Sequence, residues 1–170
     1  MAHAETSFAI SNSAKKKAEQ ALKTLVKDFD CVVAAILASP DGLLMASCTI
    51  DDEVECDAVA AMSSSIISLG DALTAQATHD ENHVSKTVLS ETETISIATM
   101  YAGTLILTTI GHAHANMGTV LSRSRQTAAE IAIIVDQDDG KVSKGKQKAS
   151  FQFDPDVLLA RVLKNKNEDK

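Results

Sequence analysis

Histidine and cysteine are the side chains in this sequence whose chemistry suits a metal ion. His79 and His83 are four residues apart, and His112 and His114 are two apart. The first spacing on a helix, or the second on a strand, would place both rings on one side, and two histidines four apart are a known zinc pair. A site would need another fixed ligand, and no C-x₂-C spacing occurs among the three cysteines, Cys31, Cys48 and Cys56. We therefore interpret the histidines as solvated side chains and predict no metal and no other cofactor.

The sequence also contains no motif for nucleophilic catalysis or for phosphate binding. The sequence has no G-x-S-x-G and no glycine-rich phosphate loop. Arg123 and Arg125 are the remaining candidates, because an arginine lent to a GTPase stabilises transition-state charge. Both fall in the middle of a predicted helix, where a solvated charge is the commoner state. We predict that the protein is not an enzyme.

The elements that must carry these residues alternate between helical and β patterns. Apolar residues at three- and four-residue spacing predict helices over about 14–29, 54–76 and 115–135. "CVVAAILAS" and "LLMASC" flank the turn Pro40–Gly42, which predicts a β-hairpin. "VSKTVLS", "TISIATMY" and "TLILTTIG" predict three further strands. This order, helix-β-β-helix-β-β-β-helix, favours an α+β fold with a five-stranded antiparallel sheet and helices on both faces.

Four segments follow from this pattern: a flexible N-terminus over 1–13, one domain over 14–136, a Lys-rich linker over 137–153 and a C-terminal amphipathic helix over 154–166. Asp154 and Pro155 suit the start of that last helix. A helix this short is marginal alone in water, so we expect it to dock on the domain, on a sister chain or on a partner.

Charge and composition exclude several classes of protein. The formal net charge of −7 argues against nucleic acid as the partner. We find no continuous apolar run of the length that spans a bilayer, so we expect no direct membrane insertion. The first residues lack the pattern of a signal peptide, and we expect a cytoplasmic protein with free thiols.

The second predicted helix, over 54–76, is unusual because no Lys, Arg or Glu lies between Glu55 and Gln76. A helix with a solvated side usually carries long charged residues there. Its large apolar residues suit the sheet: Val59, Met62, Ile66, Leu69 and Leu73. A second stripe consists mostly of small residues, which would let another helix approach closely. The helix is either buried in its own domain or packed on a partner, and two-fold dimers are the commonest assembly.

The strand "VSKTVLS" begins a three-stranded run and is expected at a sheet edge. Lys86 either protects that edge from pairing, or the edge pairs with the same strand of another chain.

The hairpin "VVAAILASPDGLLMAS", the helix "AVAAMSSSIISLGDAL" and the corner "ANMG", in this order, resemble the Roadblock family. That family includes dynein light chains of the Roadblock type and MglB-like regulators of small Ras-like GTPases. The resemblance covers about 14–135, and Leu121 stands where family members often carry Arg. Its pattern positions are Asp41 and Gly42 in the hairpin turn, and Asn116 and Gly118 where the last helix begins.

The resemblance implies a homodimer with one helix on one face of each sheet and two on the other. Its third strands pair edge to edge, and its second helices pack side by side. It further implies a platform that contacts the switch regions of a small Ras-like GTPase and regulates it, for example as a GTPase-activating protein without its own catalytic residue. The alternative is an adaptor dimer with no effect on nucleotide turnover.

On this sequence, the implied dimer interface comprises Cys56, Ala60, Ser63, Ile67, Gly70, Thr74, Val84, Lys86 and Val88. The implied platform comprises Asp57, Ala61, Ser64, Ser68 and Asp71. We accordingly expect Ala60→Glu or Gly70→Lys to abolish dimerisation or GTPase binding.

Overall fold

The structure of the protein, a computed structural model, describes residues 10–80, 82 and 84–142. Its elements follow the predicted order, and the α+β prediction is confirmed: α1 (Asn12–Lys27), β1 (Val32–Ala38), β2 (Leu44–Thr49), α2 (Cys56–Thr78), β3 (Val88–Glu91), β4 (Ile95–Ala102), β5 (Leu105–His112) and α3 (Met117–Val142). Residues 1–9 of the predicted N-terminus, His83, and the predicted linker and C-terminal helix beyond Val142 lie outside the described residues.

The five strands form one antiparallel sheet in the order β2-β1-β5-β4-β3. β1 and β5 lie at the centre and are almost wholly buried, which explains why both read as continuous apolar runs. β3 is an edge strand, as expected, but it is shorter than "VSKTVLS" and begins only at Val88. Val84 and Lys86 therefore precede the strand.

Helices cover both faces of the sheet. Along β1, Ala35 and Leu37 face the cluster formed with α1 and α3, whereas Ile36 faces the cluster formed with α2, as strand alternation requires. α2 is thus the single described helix on its face, and part of β3 and β4 beside it stays uncovered.

The ends of α1 and α3 are fixed by side-chain caps. The Ser11 hydroxyl accepts a hydrogen bond from the Ala14 N–H at 3.1 Å and donates one to the Asp138 carboxylate at 2.5 Å. At the start of α3, the Asn116 side-chain oxygen accepts from the Thr119 N–H at 3.3 Å. α3 continues to Val142, so residues 137–142, predicted as linker, are helical.

The expectation that no segment is long and apolar enough to span a membrane is wrong for α2. By length and composition alone, its 23 residues would suffice. Its serines and two aspartates interrupt the apolar run in the sequence, so a search for a continuous run passes over it. Core helices of soluble proteins share this length and composition, and α2 packs on the sheet through Ala60, Ser63 and Ile67.

Candidate protein-binding surface on α2 and β3

The side of α2 that seats on the sheet is its small-residue stripe. Ala60, Ser63 and Ile67 are buried, and Ala60 and Ile67 pack with Ile36, Ile106 and other strand residues. The prediction that these three residues form a dimer interface is therefore wrong. Isoleucines from the strands already occupy that face, so a helix with small side chains can approach it closely.

Hydroxyl groups fix the height of α2 above the sheet. The Ser63 hydroxyl donates to the Val59 carbonyl oxygen at 2.6 Å and lies 2.6 Å from the Thr108 hydroxyl. Thr108 is in turn 3.2 Å from the Thr99 hydroxyl. Buried polar groups need such partners, so these linked hydroxyl groups favour one position of α2 on the sheet.

The C-terminal half of α2 packs against β3 and the loop before it. A Cβ atom at Gly70 would lie only 2.7 Å from a methyl carbon of Val88. The Thr74 hydroxyl is 2.8 Å from that of Ser85. Gly70, Thr74 and Val88, all predicted to contact a sister chain, are therefore engaged within their own chain.

Three further residues complete the predicted dimer interface. Cys56 packs against the α2-side core and is likewise engaged within the chain. Val84 and Lys86 are the two members of the predicted set that are exposed.

Of the five large apolar residues of α2 that the sequence assigned to the sheet, Val59 packs against the core, whereas the other four face outwards. Met62 is 56%, Leu69 71% and Leu73 70% exposed, and Ile66 is also exposed. Beside them a groove of about 260 Å³ runs between α2 and the outer strands, and Val88, Ser90, Ile97 and Thr99 line its sheet side. We call the four helix residues, this groove and the unpaired outer edge of β3 the α2–β3 surface. A contiguous apolar patch of this kind is typical of a protein-binding site.

Asp71, predicted to contact a GTPase, is a link within the chain. Its carboxylate accepts hydrogen bonds from the Ser85 backbone N–H and the Tyr101 hydroxyl, both at 2.6 Å. Burial, the hydrogen bond to Asp71 and the negative charge of Asp71, in that order, raise the pKa of Tyr101 far above its ordinary value. Asp71 therefore ties α2 to β4 and to the loop before β3.

The other predicted platform residues divide into two groups. Ser64 donates to the Pro40 carbonyl oxygen, and Ser68 donates to the Ser64 carbonyl oxygen at 2.8 Å. These two hydroxyls are therefore used within the chain. Asp57 and Ala61 are exposed and stay available to a partner.

The four pattern positions have structural roles. Gly42 has φ +84°, and a Cβ there would lie 3.0 Å from the Cα of Ala61, so the hairpin turn packs on α2 only without a side chain. Asp41 accepts a hydrogen bond from the Ser39 hydroxyl in the same turn. Gly118 is exposed, and its missing Cβ leaves room for the capping side chain of Asn116 rather than for close packing with another element.

Of the residues considered for metal binding or for catalysis, His112, His114 and Arg123 make contacts outside this surface. The rings of His112 and His114 are nearly parallel, with centroids 6.5 Å apart, and both are exposed. Among the described residues, no group of three or more His, Cys, Asp or Glu side chains could hold a metal ion. The Arg123 guanidinium lies over the Phe29 ring, 4.7 Å from its centroid, so it is held on the domain itself.

Comparison with known proteins gives a family and a fold. The family model described as "Mitogen-activated protein kinase kinase 1 interacting" matches residues 16–138. No curated protein matches the chain.

Similar solved structures include "MglB with tetrameric arrangement", with a TM-score of 0.70 and 17% identity over 79% of this chain and 98% of that one. The gliding protein MglB from Thermus thermophilus gives 0.69 and 16%, over 78% and 98%. The Roadblock/LC7 domain from Streptomyces avermitilis gives 0.58 and 20%, over 66% and 92%. At these identities the likeness concerns the fold, and it confirms the Roadblock-type architecture.

Proposed function

The chain belongs to the family described as mitogen-activated protein kinase kinase 1 interacting, and from this premise and its Roadblock fold we propose that it is a non-catalytic regulator that dimerises through the α2–β3 surface and binds a small Ras-like GTPase. The family and the fold support a regulatory or adaptor domain; the dimer and the GTPase are the parts that we propose. We also propose a cytoplasmic location, which suits its three free cysteines.

The exposed apolar stripe of α2 is the observation that carries this proposal. Burying a Leu, Ile or Met side chain contributes about 1.5–3 kcal/mol. In a two-fold dimer the stripe is buried twice. Because these side chains are 42–71% exposed in the single chain, their burial contributes about 7–14 kcal/mol, comparable to an association cost of about 4–15 kcal/mol. A second copy also suits the site because the free edge of β3 adjoins the stripe and can pair with its own counterpart.

Pairing through this surface leaves another side of α2 open to a partner. Ala61, Ser65 and Gln76 are exposed there, with Asp57 at the start of the helix. The small side chains of Ala61 and Ser65 let a switch segment lie close to the helix backbone, and such contacts order switch regions. Regulation would thus act through shape, and Arg123, one of the two arginines considered for catalysis, is held on Phe29 of its own chain.

The double variant Leu69→Glu/Leu73→Glu tests the dimer. We expect a folded monomer by light scattering, because burying these carboxylates in the interface is unfavourable. Ile50→Glu is the matched control: Ile50 is 65% exposed beside the opposite edge strand, and the variant should keep the wild-type mass. A wild-type monomer, or a dimeric double variant, would contradict the interface.

Single-turnover GTP hydrolysis by a small Ras-like GTPase from the same genome, with and without this protein, tests regulation. We expect binding by calorimetry and a changed hydrolysis rate, with Ser65→Lys weakening both while the dimer persists. Absence of binding to every such GTPase would contradict the GTPase proposal and leave the dimer intact.

An adaptor without effect on turnover is the second candidate. The family description favours it, since it names an interaction with a protein kinase kinase. Binding with an unchanged hydrolysis rate would support the adaptor.

A further inference from the structure

A second groove lies on the other face of the sheet, between α3, the end of β4 and the loop before β3. It has a volume of about 290 Å³; Met100, Ala128 and Ala132 are among its apolar lining, and Lys86, Tyr101 and Arg125 stand around it. No carboxylate among the described residues forms an ion pair with Lys86 or Arg125. The groove therefore combines an apolar floor with two exposed cations that have no acidic partner among the described residues.

We propose that this groove binds the C-terminal segment of the same chain, residues 154–163, with Asp154 and Asp156 facing Lys86 and Arg125. The segment "DPDVLLARVL" begins with two acids and continues with five large apolar residues, which matches the groove in charge and in polarity. An amphipathic helix of this length needs a surface to be stable in water.

The length of the chain permits this contact. From Ala128, in the groove, to the end of α3 at Val142 is about 21 Å along the helix axis. Residues 143–153 extend to about 36 Å at most, so they can cover that distance back to the groove. The groove lies on the α1–α3 side of the sheet, so its occupation does not require the α2–β3 surface, and the inference is independent of the proposed function.

Hydrogen exchange of the intact protein, followed by mass spectrometry, tests the proposal. In the wild type we expect the amides of residues 157–163 to exchange at least tenfold more slowly than in a synthetic peptide of residues 150–170. Lys86→Glu/Arg125→Glu should remove about tenfold of that protection, because two exposed attractive pairs become repulsive. Both residues are exposed, so the fold should persist, which circular dichroism verifies.

Charge exchange provides the decisive comparison. Asp154→Lys/Asp156→Lys alone should lose protection, and combining it with Lys86→Glu/Arg125→Glu should restore it. Lys16→Glu/Lys17→Glu, the same charge change on the exposed side of α1, should have no effect. Unprotected wild-type amides, failure of the combined variant to recover, or protection that disappears on dilution would each overturn the proposal, the last because the segment would then bind a sister chain.

Discussion

Two alanine substitutions on α2 distinguish its buried side from its exposed side. Ile67 is 1% exposed and Leu69 is 71% exposed, although the sequence pattern had assigned Leu69 to the sheet. Replacing a buried Ile by Ala costs about 2–5 kcal/mol of unfolding free energy, because the cavity collapses only in part. Replacing an exposed Leu changes it by about 0.5 kcal/mol or less.

The expected effect on thermal unfolding follows from these values. A chain of this size loses about 2–4 °C in Tm per kcal/mol, so Ile67→Ala should lower Tm by about 4–20 °C and Leu69→Ala by about 2 °C or less. Association stabilises the folded chain by mass action. The Tm values of the two variants should therefore be compared at a protein concentration at which light scattering finds the wild type monomeric.

Circular dichroism of the two variants and the wild type, in dilute and concentrated samples, provides the assay. In concentrated samples Leu69→Ala should lose additional Tm relative to the wild type, since it weakens the proposed interface. If Leu69→Ala lost as much as Ile67→Ala in the dilute sample, the assignment of the two sides of α2 would be refuted.

Three further predictions concern contacts within the chain. The folded state raises the pKa of Tyr101 above its unfolded value of 10.0. The phenol of the unfolded chain therefore ionises first, and the free energy of unfolding falls as the pH rises above that value. In urea unfolding, Tyr101→Phe should lose less stability than the wild type between about pH 8 and about pH 10.5, and an identical loss would refute the role of the Asp71 contact. Gly70→Ala should lower the urea midpoint because the new Cβ clashes with Val88. The overpacking costs about 1–3 kcal/mol and exceeds the helix-propensity gain of about 0.5–1 kcal/mol. Val88→Ala should restore the midpoint of the Gly70→Ala variant, and additive losses in the double variant would contradict the clash. Ser11→Ala should cost about 1 kcal/mol as a lost helix cap, and an unchanged Tm would contradict the capping role.

The order of elements and the central strands were predictable from the sequence because burial leaves a local signature. β1 and β5 are covered on both faces, and each reads as a continuous apolar run. The hairpin turn was equally clear, since Gly42 takes a positive φ that few other residues adopt.

The orientation of α2 was not predictable by the same reasoning. The helical periodicity of α2 gives two stripes of residues about a third of a turn apart. In amphipathic helices the stripe with the larger apolar side chains usually packs on the core. Here the hydroxyl of Ser63 is paired with that of Thr108, which is in turn paired with that of Thr99, and both threonines lie far along the chain in β5 and β4. The threonines within buried strands were visible in the sequence and indicated that a polar partner faces them. Which helix residue that partner is cannot be inferred from local periodicity, because the contact joins residues that are distant in sequence.

This reversal changes the meaning of two substitutions. Ala60→Glu and Gly70→Lys were expected to disrupt association selectively. Ala60 is wholly buried, and Gly70 has no room for a Cβ, so both should destabilise the fold itself. Loss of binding in either variant would therefore say nothing about the interface.

The hydrogen bond between Ser11 and Asp138 joins the residue before α1 to the last part of α3. The two ends of the domain are therefore neighbours in space, which is the condition under which circular permutation is tolerated. The exposed turn between β3 and β4, at Thr92–Thr94, offers a place for new termini. A permuted chain opened there would keep the three described helices intact, and its new ends would flank the edge strand on which the proposed pairing depends.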